Sequence, residues 1–207
     1  MKNNQGFTLL EMILALAVVS IGIMGAFTLS LANLNTARDN YNRVLAANLA
    51  REGVELVRNI RDSNWLKIDN NIDCGAGPCT WDQGLSYGTS TINYDDTSLN
   101  QLFGSMSIED CFDDELCQPT VYSAAGDIEL DLARMIVLKA ICFDADQSVA
   151  TSYDQGATFI SSSLTCSGDY EEKIGLRVSS QVYWQDRGRG HLTEVIENLY
   201  NWREYVN

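Results

Sequence analysis

Hydrophobic residues form an uninterrupted apolar segment near the start of the 207-residue chain. Residues 1–6 are polar, and residues 7–31 are apolar or small apart from a few hydroxyl residues and Glu11. No charged residue occurs in residues 12–37. Because about 20 apolar residues span a bilayer, this pattern predicts a transmembrane helix. Lys2 precedes the segment, so the positive-inside rule places the N-terminus in the cytoplasm.

An amphipathic pattern follows the apolar segment. Apolar or small residues recur every three or four positions, which is typical of one face of an α-helix, and no proline occurs before Pro78. Trp65, after a polar triplet, marks the predicted end of a helix over residues 7–65, of which residues 7–31 lie in the membrane. The predicted stripe contains Leu34, Ala37, Tyr41, Leu45, Asn48 or Leu49, Glu52 or Gly53, Leu56 and Ile60.

Strand patterns fill the rest of the chain, residues 66–207. Residues 87–94 are rich in Thr, Tyr and Ile, residues 134–143 form a continuous apolar run, and residues 174–184 alternate in part before a turn cluster. These features are typical of strands and turns, whereas residues 192–202 fit either a hairpin strand or a helix. The predicted fold class is therefore α+β, with the long N-terminal helix packed on an antiparallel sheet.

Two residues at the start of the apolar segment need a specific explanation. Gly6 lies at its boundary, and Glu11 lies inside it, where a carboxylate costs about 3 kcal/mol unless it is paired. The segment GFTLLE, residues 6–11, followed by about twenty apolar residues, resembles the class III signal of type IV prepilins and type II secretion pseudopilins. An uncleaved signal anchor is the plainer alternative.

The resemblance implies a processing reaction and an assembly contact. It implies that a prepilin peptidase cuts between Gly6 and Phe7, so that residues 1–6 are a leader, and that Phe7 becomes N-methylated. It also implies that Glu11 pairs with the N-terminal amine of a neighbouring subunit, since opposite charges in hydrocarbon favour each other. Residues 7–31 would then form the filament core and contact other pilin subunits.

Two further stretches resemble PilV-like minor pilins: residues 50–65, and the C-terminal segments 184–188 and 199–203. The C-terminal resemblance favours a strand for residues 192–202 and a pilin-like fold. We therefore predict a structural subunit of a type IV pilus, a minor pilin, and not an enzyme. A type II secretion pseudopilin is one alternative. A filament-displayed adhesin or binding module is another, and an exposed apolar or aromatic patch in residues 66–130 would indicate it.

The charge of the chain is strongly acidic and unevenly distributed. The formal net charge is −14, and residues 66–207 hold 23 acidic and 8 basic residues. Such a domain repels polyanions, which argues against nucleic acid as a partner. We predict a single-pass protein of the cytoplasmic membrane with its C-terminal domain outside the cytoplasm, which then joins a pilus or pseudopilus at the cell surface.

All six cysteines follow the predicted helix. An even number in an exported domain predicts disulfides. Of the 15 pairings that six cysteines permit, proximity in sequence favours the three pairs Cys74–Cys79, Cys111–Cys117 and Cys142–Cys166.

Metal and catalytic sites find little support in the sequence. The cysteine spacings, with His191 as the single histidine, do not match a usual zinc site. Residues 109–115 and 144–148 are acidic and offer oxygen ligands of the kind calcium prefers, but solvated loops are the preferred interpretation. No serine lies in a G-x-S-x-G context. We predict no metal, cofactor or catalytic residue.

Overall fold

The structure is a computed structural model that describes residues 8–72, 78–85, 88–102, 106–113, 117–121, 128–129, 131–143, 158–166 and 172–201. Gly6, Phe7 and Cys74 lie outside these residues, as does the acidic stretch 144–148. The chain divides into two compact units, Met1–Arg43 and Val44–Asn207, and each is described by itself.

The long helix α1 spans Leu9–Asp69 and ends four residues beyond the predicted Trp65. It continues because Asn64 and Trp65 are buried against the second unit, and the Asn64 amide donates to the carbonyl oxygens of Trp81 and Gln83 at 3.2 and 2.6 Å. The helix closes where Asn71 adopts a left-handed conformation with φ of 49°, the backbone geometry that terminates many helices.

The rest of the described chain is mainly antiparallel sheet. The elements are β1 (Thr89–Thr91), β2 (Asn100–Gln101), α2 (Ile108–Asp113), β3 (Thr120–Val121), β4 (Ile128–Glu129), β5 (Ala133–Phe143), β6 (Thr158–Ile160), β7 (Glu172–Asp186) and β8 (Arg189–Tyr200). The main sheet has the order β2-β1-β5-β7-β8, with β6 also paired to β5, and β3 and β4 form a separate two-stranded ribbon. Because β7 pairs along the full length of β5, strands β1 and β6 share its other edge.

The β7–β8 hairpin resolves the ambiguity of residues 192–202. Its two-residue turn consists of Arg187 and Gly188, with φ of 51° and 71°, and positive φ at both positions is the requirement of a tight hairpin turn that matches strand twist. Strand β8 then pairs with β7 from Asp186↔Arg189 to Gly175↔Tyr200. The strand prediction is confirmed for residues up to Tyr200.

The core of the second unit lies between α1 and one face of the sheet. Helix residues Val54, Val57 and Ile60 pack in one hydrophobic cluster with residues of β5, β7 and β8. This arrangement confirms the α+β prediction. The buried stripe shares Leu49, Gly53 and Ile60 with the predicted stripe but otherwise lies on a rotated face of the helix, because burial follows the contact with the sheet. The buried helix residues are Ala46, Leu49, Ala50, Gly53, Val54, Val57, Ile60, Asn64 and Trp65.

Candidate functional site

The first turn of α1 contains the predicted assembly residue Glu11. Thr8 precedes the helix, and the backbone N–H of Glu11 donates to the Thr8 carbonyl oxygen at 3.0 Å and to its Oγ1 at 3.4 Å. Thr8 is therefore a helix N-cap, and the carboxylate of Glu11 lies three residues later, where the positive end of the helix dipole favours an anion. This role was not predicted, although T-x-x-E before an apolar run is the signature of a capping box.

The helix that follows Glu11 exposes its apolar side chains. Large hydrophobic residues such as Leu14 and Phe27 are 58% and 64% exposed. The helix is long and apolar enough to cross a membrane. Two of its hydroxyl groups bond within the helix: Ser20 and Thr28 donate to the carbonyl oxygens of Leu16 and Gly25. Internal pairing of polar groups is what hydrocarbon requires of a spanning segment.

The geometry of the first turn suits a charge contact with another molecule. The Glu11 carboxylate belongs to an exposed residue at the start of an exposed apolar helix. In hydrocarbon, a group of opposite charge would be its most favourable partner. Gly6 and Phe7, the predicted cleavage and methylation positions, lie outside the described residues, so this part of the site stays a prediction.

A buried arginine joins the second half of α1 to the sheet. Arg134 on β5 is 1% exposed, and its Nη1 donates to Glu52 Oε2 at 3.1 Å and to the Leu49 carbonyl oxygen at 3.4 Å. Its Nη2 donates to the Ile92 carbonyl oxygen. Burial lowers the pKa of Arg134, and the Glu52 carboxylate acts in the opposite direction. The guanidinium thus connects α1, β5 and the segment after β1.

Gly53 lets the helix approach the sheet at this junction. A Cβ at position 53 would collide with Ser180 Oγ and lie 2.9 Å from Ile136 Cδ1. Glu52 or Gly53 was predicted to lie on the apolar stripe, but the contact of this turn with Arg134 was not predicted. The available signal was Arg134 at the start of a largely apolar strand, because a buried cation needs a partner.

The exposed face of the helix carries ion pairs. Asp39 pairs with Arg43 and Glu55 pairs with Arg58 at helical spacing, and Arg58 also pairs with Glu197 on β8. The hydrogen bonds that Arg58 donates to the carboxylates of Glu55 and Glu197 raise the pKa of Arg58 despite some burial. Like Arg134–Glu52, the Arg58–Glu197 pair is therefore an ion pair between α1 and the sheet.

Two disulfides close loops of the second unit. Cys111 is bonded to Cys117, with Cα atoms 5.5 Å apart, and Cys142 is bonded to Cys166, with Cα atoms 5.7 Å apart. These are two of the three pairs that sequence proximity favours. Cys79 is also disulfide-bonded, and its predicted partner Cys74 lies outside the described residues.

The acidic stretch at residues 109–115 acts partly as a helix cap. Ser107 and Asp110 bond reciprocally at the start of α2: Asp110 accepts from the Ser107 hydroxyl at 2.7 Å and the Asp110 N–H donates to that hydroxyl oxygen at 3.2 Å. The bonds that the Asp110 carboxylate accepts from the Ser107 hydroxyl and the Ser107 backbone N–H lower the pKa of Asp110. Within the described residues, no group of three or more His, Cys, Asp or Glu side chains is arranged to hold a metal ion.

An exposed apolar or aromatic patch in residues 66–130 would indicate an adhesin. In the described part of this range, Trp81, Leu85 and Leu99 are buried. Leu66 and Ile72 are its exposed large hydrophobic residues. The described residues here therefore contain two separate exposed aliphatic side chains and a largely buried set of apolar groups.

Comparison with known proteins addresses the N-terminal segment. Residues 1–27 match the family model described as the prokaryotic N-terminal methylation motif. Neither the curated proteins nor the solved structures yield a match to this chain. The chain thus joins a membrane-anchoring helix to an α+β domain of pilin-like architecture, and its residues 1–27 carry the N-terminal signal of type IV pilins and pseudopilins.

Proposed function

We propose that this protein is a minor pilin, a structural subunit of a type IV pilus. The observation that carries the proposal is the methylation motif at residues 1–27, continued by a helix that exposes its apolar side chains. An apolar helix of this kind needs lipid or sister helices around it. The PilV-like stretches support a minor pilin among the filament subunits.

Processing of the N-terminus precedes assembly in this proposal. A prepilin peptidase removes residues 1–6 and methylates Phe7. The new amine then lies near the depth of Glu11 in a neighbouring subunit, and their pairing sets the axial register of the filament. The acidic C-terminal domain lies outside the cytoplasm, and the finished subunit lies at the cell surface.

The intact mass of the protein from a sheared surface fraction, taken without reductant, tests processing. The expected mass corresponds to Phe7–Asn207 with one added methyl group and six fewer hydrogens, for three disulfides. A mass that retains Met1–Gly6 in cells with an active prepilin peptidase would contradict the proposal and indicate a signal anchor. Presence in membranes and secretion complexes, but absence from sheared pili, would indicate a pseudopilin.

Substitution of Glu11 tests assembly and separates charge pairing from helix capping. Glu11→Gln keeps an oxygen acceptor suitable for a capping box but removes the negative charge. We expect Glu11→Gln and Glu11→Ala to be inserted in the membrane and to be depleted about tenfold or more in purified filaments, since an unpaired amine is costly in hydrocarbon. Thr8→Ala, which removes the cap and keeps the charge, is the matched control. Normal incorporation of Glu11→Gln would overturn the pairing role.

A further inference from the structure

The outer face of the sheet, which faces away from α1, is divided into a covered and an uncovered part. Helix α2 covers one end, where Phe112 packs edge-on against Tyr183 with ring centroids 5.3 Å apart. Beyond α2 the same face forms a groove of about 340 Å³, which we call the outer groove. Its lining consists of Val137, Lys139, Ile160, Arg177, Ser179, Gln181, Glu194 and Ile196.

Two cations lie directly opposite each other in the outer groove. The strand register pairs Lys139 of β5 with Arg177 of β7. Like charges at directly opposed positions of a sheet repel and destabilise it. Among the described residues, no carboxylate forms a salt bridge with either side chain within 4.0 Å. The pair therefore retains the capacity to bind an anion.

Among the described residues that line the outer groove, Glu194 supplies the one negative charge, and its carboxylate already accepts hydrogen bonds. It accepts hydrogen bonds from Ser179 Oγ and from Gln181 Nε2. These bonds, with the charges of Arg177 and Lys139, lower its pKa against a smaller effect of burial. With one carboxylate and two cations among its described lining residues, the outer groove is locally positive. This contrasts with residues 66–207 as a whole, which hold 23 acidic and 8 basic residues.

We propose that the outer groove docks a carboxylate-bearing surface of an adjacent filament subunit. Charge complementarity carries the choice of partner: on this otherwise acidic domain, the local cation pair favours the orientation that places a partner's carboxylates over it. The half-exposed Ile160 and Ile196 provide apolar contact beside the charges. This inference rests on the proposed function for the identity of the partner, but the groove binds carboxylates independently of assembly.

The first experiment measures binding of a fluorescent decaglutamate peptide to the full-length protein in detergent, with decaglutamine as the neutral peptide. We expect Lys139→Glu/Arg177→Glu to weaken decaglutamate binding about tenfold or more, because the attraction becomes repulsion. The matched control is Arg187→Glu/Arg189→Glu. It makes the same change in charge at exposed residues that lie about 33 Å along the sheet from the Lys139–Arg177 pair. This control should bind within about twofold of wild type, and both variants should keep the wild-type melting temperature.

Three outcomes would overturn the inference. They are no decaglutamate binding by the wild type, equal loss in both charge-reversed variants, and tighter binding of single-stranded oligothymidylate than of decaglutamate. The last outcome would assign a polyanion site instead. Glu11→Gln should bind decaglutamate like the wild type, so a failure of the filament proposal remains distinguishable from a failure of the groove.

Discussion

The two halves of α1 meet opposite requirements with the same secondary structure. In residues 9–43 the large apolar side chains are exposed, whereas in residues 44–69 a stripe of small and branched residues is buried on the sheet. Leu14 is 58% exposed and Val57 is fully buried. The difference shows that apolar character alone does not predict burial within the chain, because burial also requires another element to pack on the residue.

Polar groups follow the same division. In the first half, hydroxyl groups bond to carbonyl oxygens of their own helix, as Ser20 does to Leu16. In the second half, polar groups bond across elements, as Glu52 does to Arg134 and Asn64 does to Trp81. The hydroxyl bonds of the first half need no other element, whereas the two cross-element bonds of the second half depend on the tertiary fold. The predictions below test this difference.

Loss of the Cys142–Cys166 disulfide should have the largest effect on stability, and it should destabilise only the second unit, Val44–Asn207. Closing a loop of 24 residues stabilises the folded state by about 3.5 kcal/mol in the chain-entropy account. We expect Cys142→Ala/Cys166→Ala to lower the melting temperature of the second unit, as measured by near-ultraviolet circular dichroism. Cys111→Ala/Cys117→Ala removes the disulfide that closes a shorter loop, so the free energy of unfolding should fall by about 2 kcal/mol. Equal melting temperatures with and without the longer disulfide would contradict the prediction.

Arg134→Ala should be almost as destabilising. It removes a buried guanidinium that bonds Glu52 and two carbonyl oxygens, and it leaves those acceptors and a cavity behind, at a cost of about 3 kcal/mol. Chemical denaturation of the detergent-solubilised protein measures the free energy of unfolding. Glu52→Gln keeps an acceptor on a partly exposed side chain and should lose about 1 kcal/mol. If Arg134→Ala unfolded like the wild type, the junction would not stabilise the helix on the sheet.

A pair of glycine substitutions compares the two halves directly. Gly53→Val should lose about 2 kcal/mol, because its side chain would collide with Ser180 and Ile136. Gly25→Val adds a side chain where no atom lies within 4 Å of the new Cβ, and valine is the better helix former. Thermal unfolding should therefore separate the two variants. Similar losses in both would remove the distinction between an open and a packed half.

The smallest effect should be a dependence on pH at the Lys173–Asp82 ion pair. Burial acts to raise the pKa of Asp82, but the hydrogen bond and charge of Lys173 outweigh it, so the pKa lies below the usual value of 3.8. Because the folded-state pKa is depressed, the pair stabilises the fold above the unfolded pKa, and this contribution is lost as pH falls through the folded value. Asp82→Asn should remove about 1 kcal/mol at neutral pH.

Lys173→Met is the matched variant for this last prediction. It removes the partner that lowers the pKa of Asp82, so both variants should show a flatter loss of stability than the wild type below about pH 4. The slope of the unfolding free energy against pH measures the effect. An unchanged slope in Asp82→Asn would show that other carboxylates account for the acid sensitivity.

Several parts of the fold were predictable because their signals are local. The positive-φ pair Arg187-Gly188 lies in the predicted turn cluster, and the apolar run at residues 134–143 matches β5, Ala133–Phe143. The end of α1 was placed too early because the polar triplet before Trp65 resembles a helix end, whereas Asn64 is buried and bonded to Trp81. A residue's exposure depends on elements distant in sequence, and a local pattern does not contain that information.

The sequence by itself determined the N-terminal signal and the membrane helix, because each depends on residue types at fixed short spacing: Gly6, Phe7 and Glu11 ahead of an uncharged apolar run. Tertiary structure alone decided the junction of Arg134 with Glu52 and the opposition of Lys139 and Arg177. The physical reason is strand register and helix rotation, which bring together residues 82 and 38 positions apart. A shift of one residue in register would turn these side chains to the other face of the sheet.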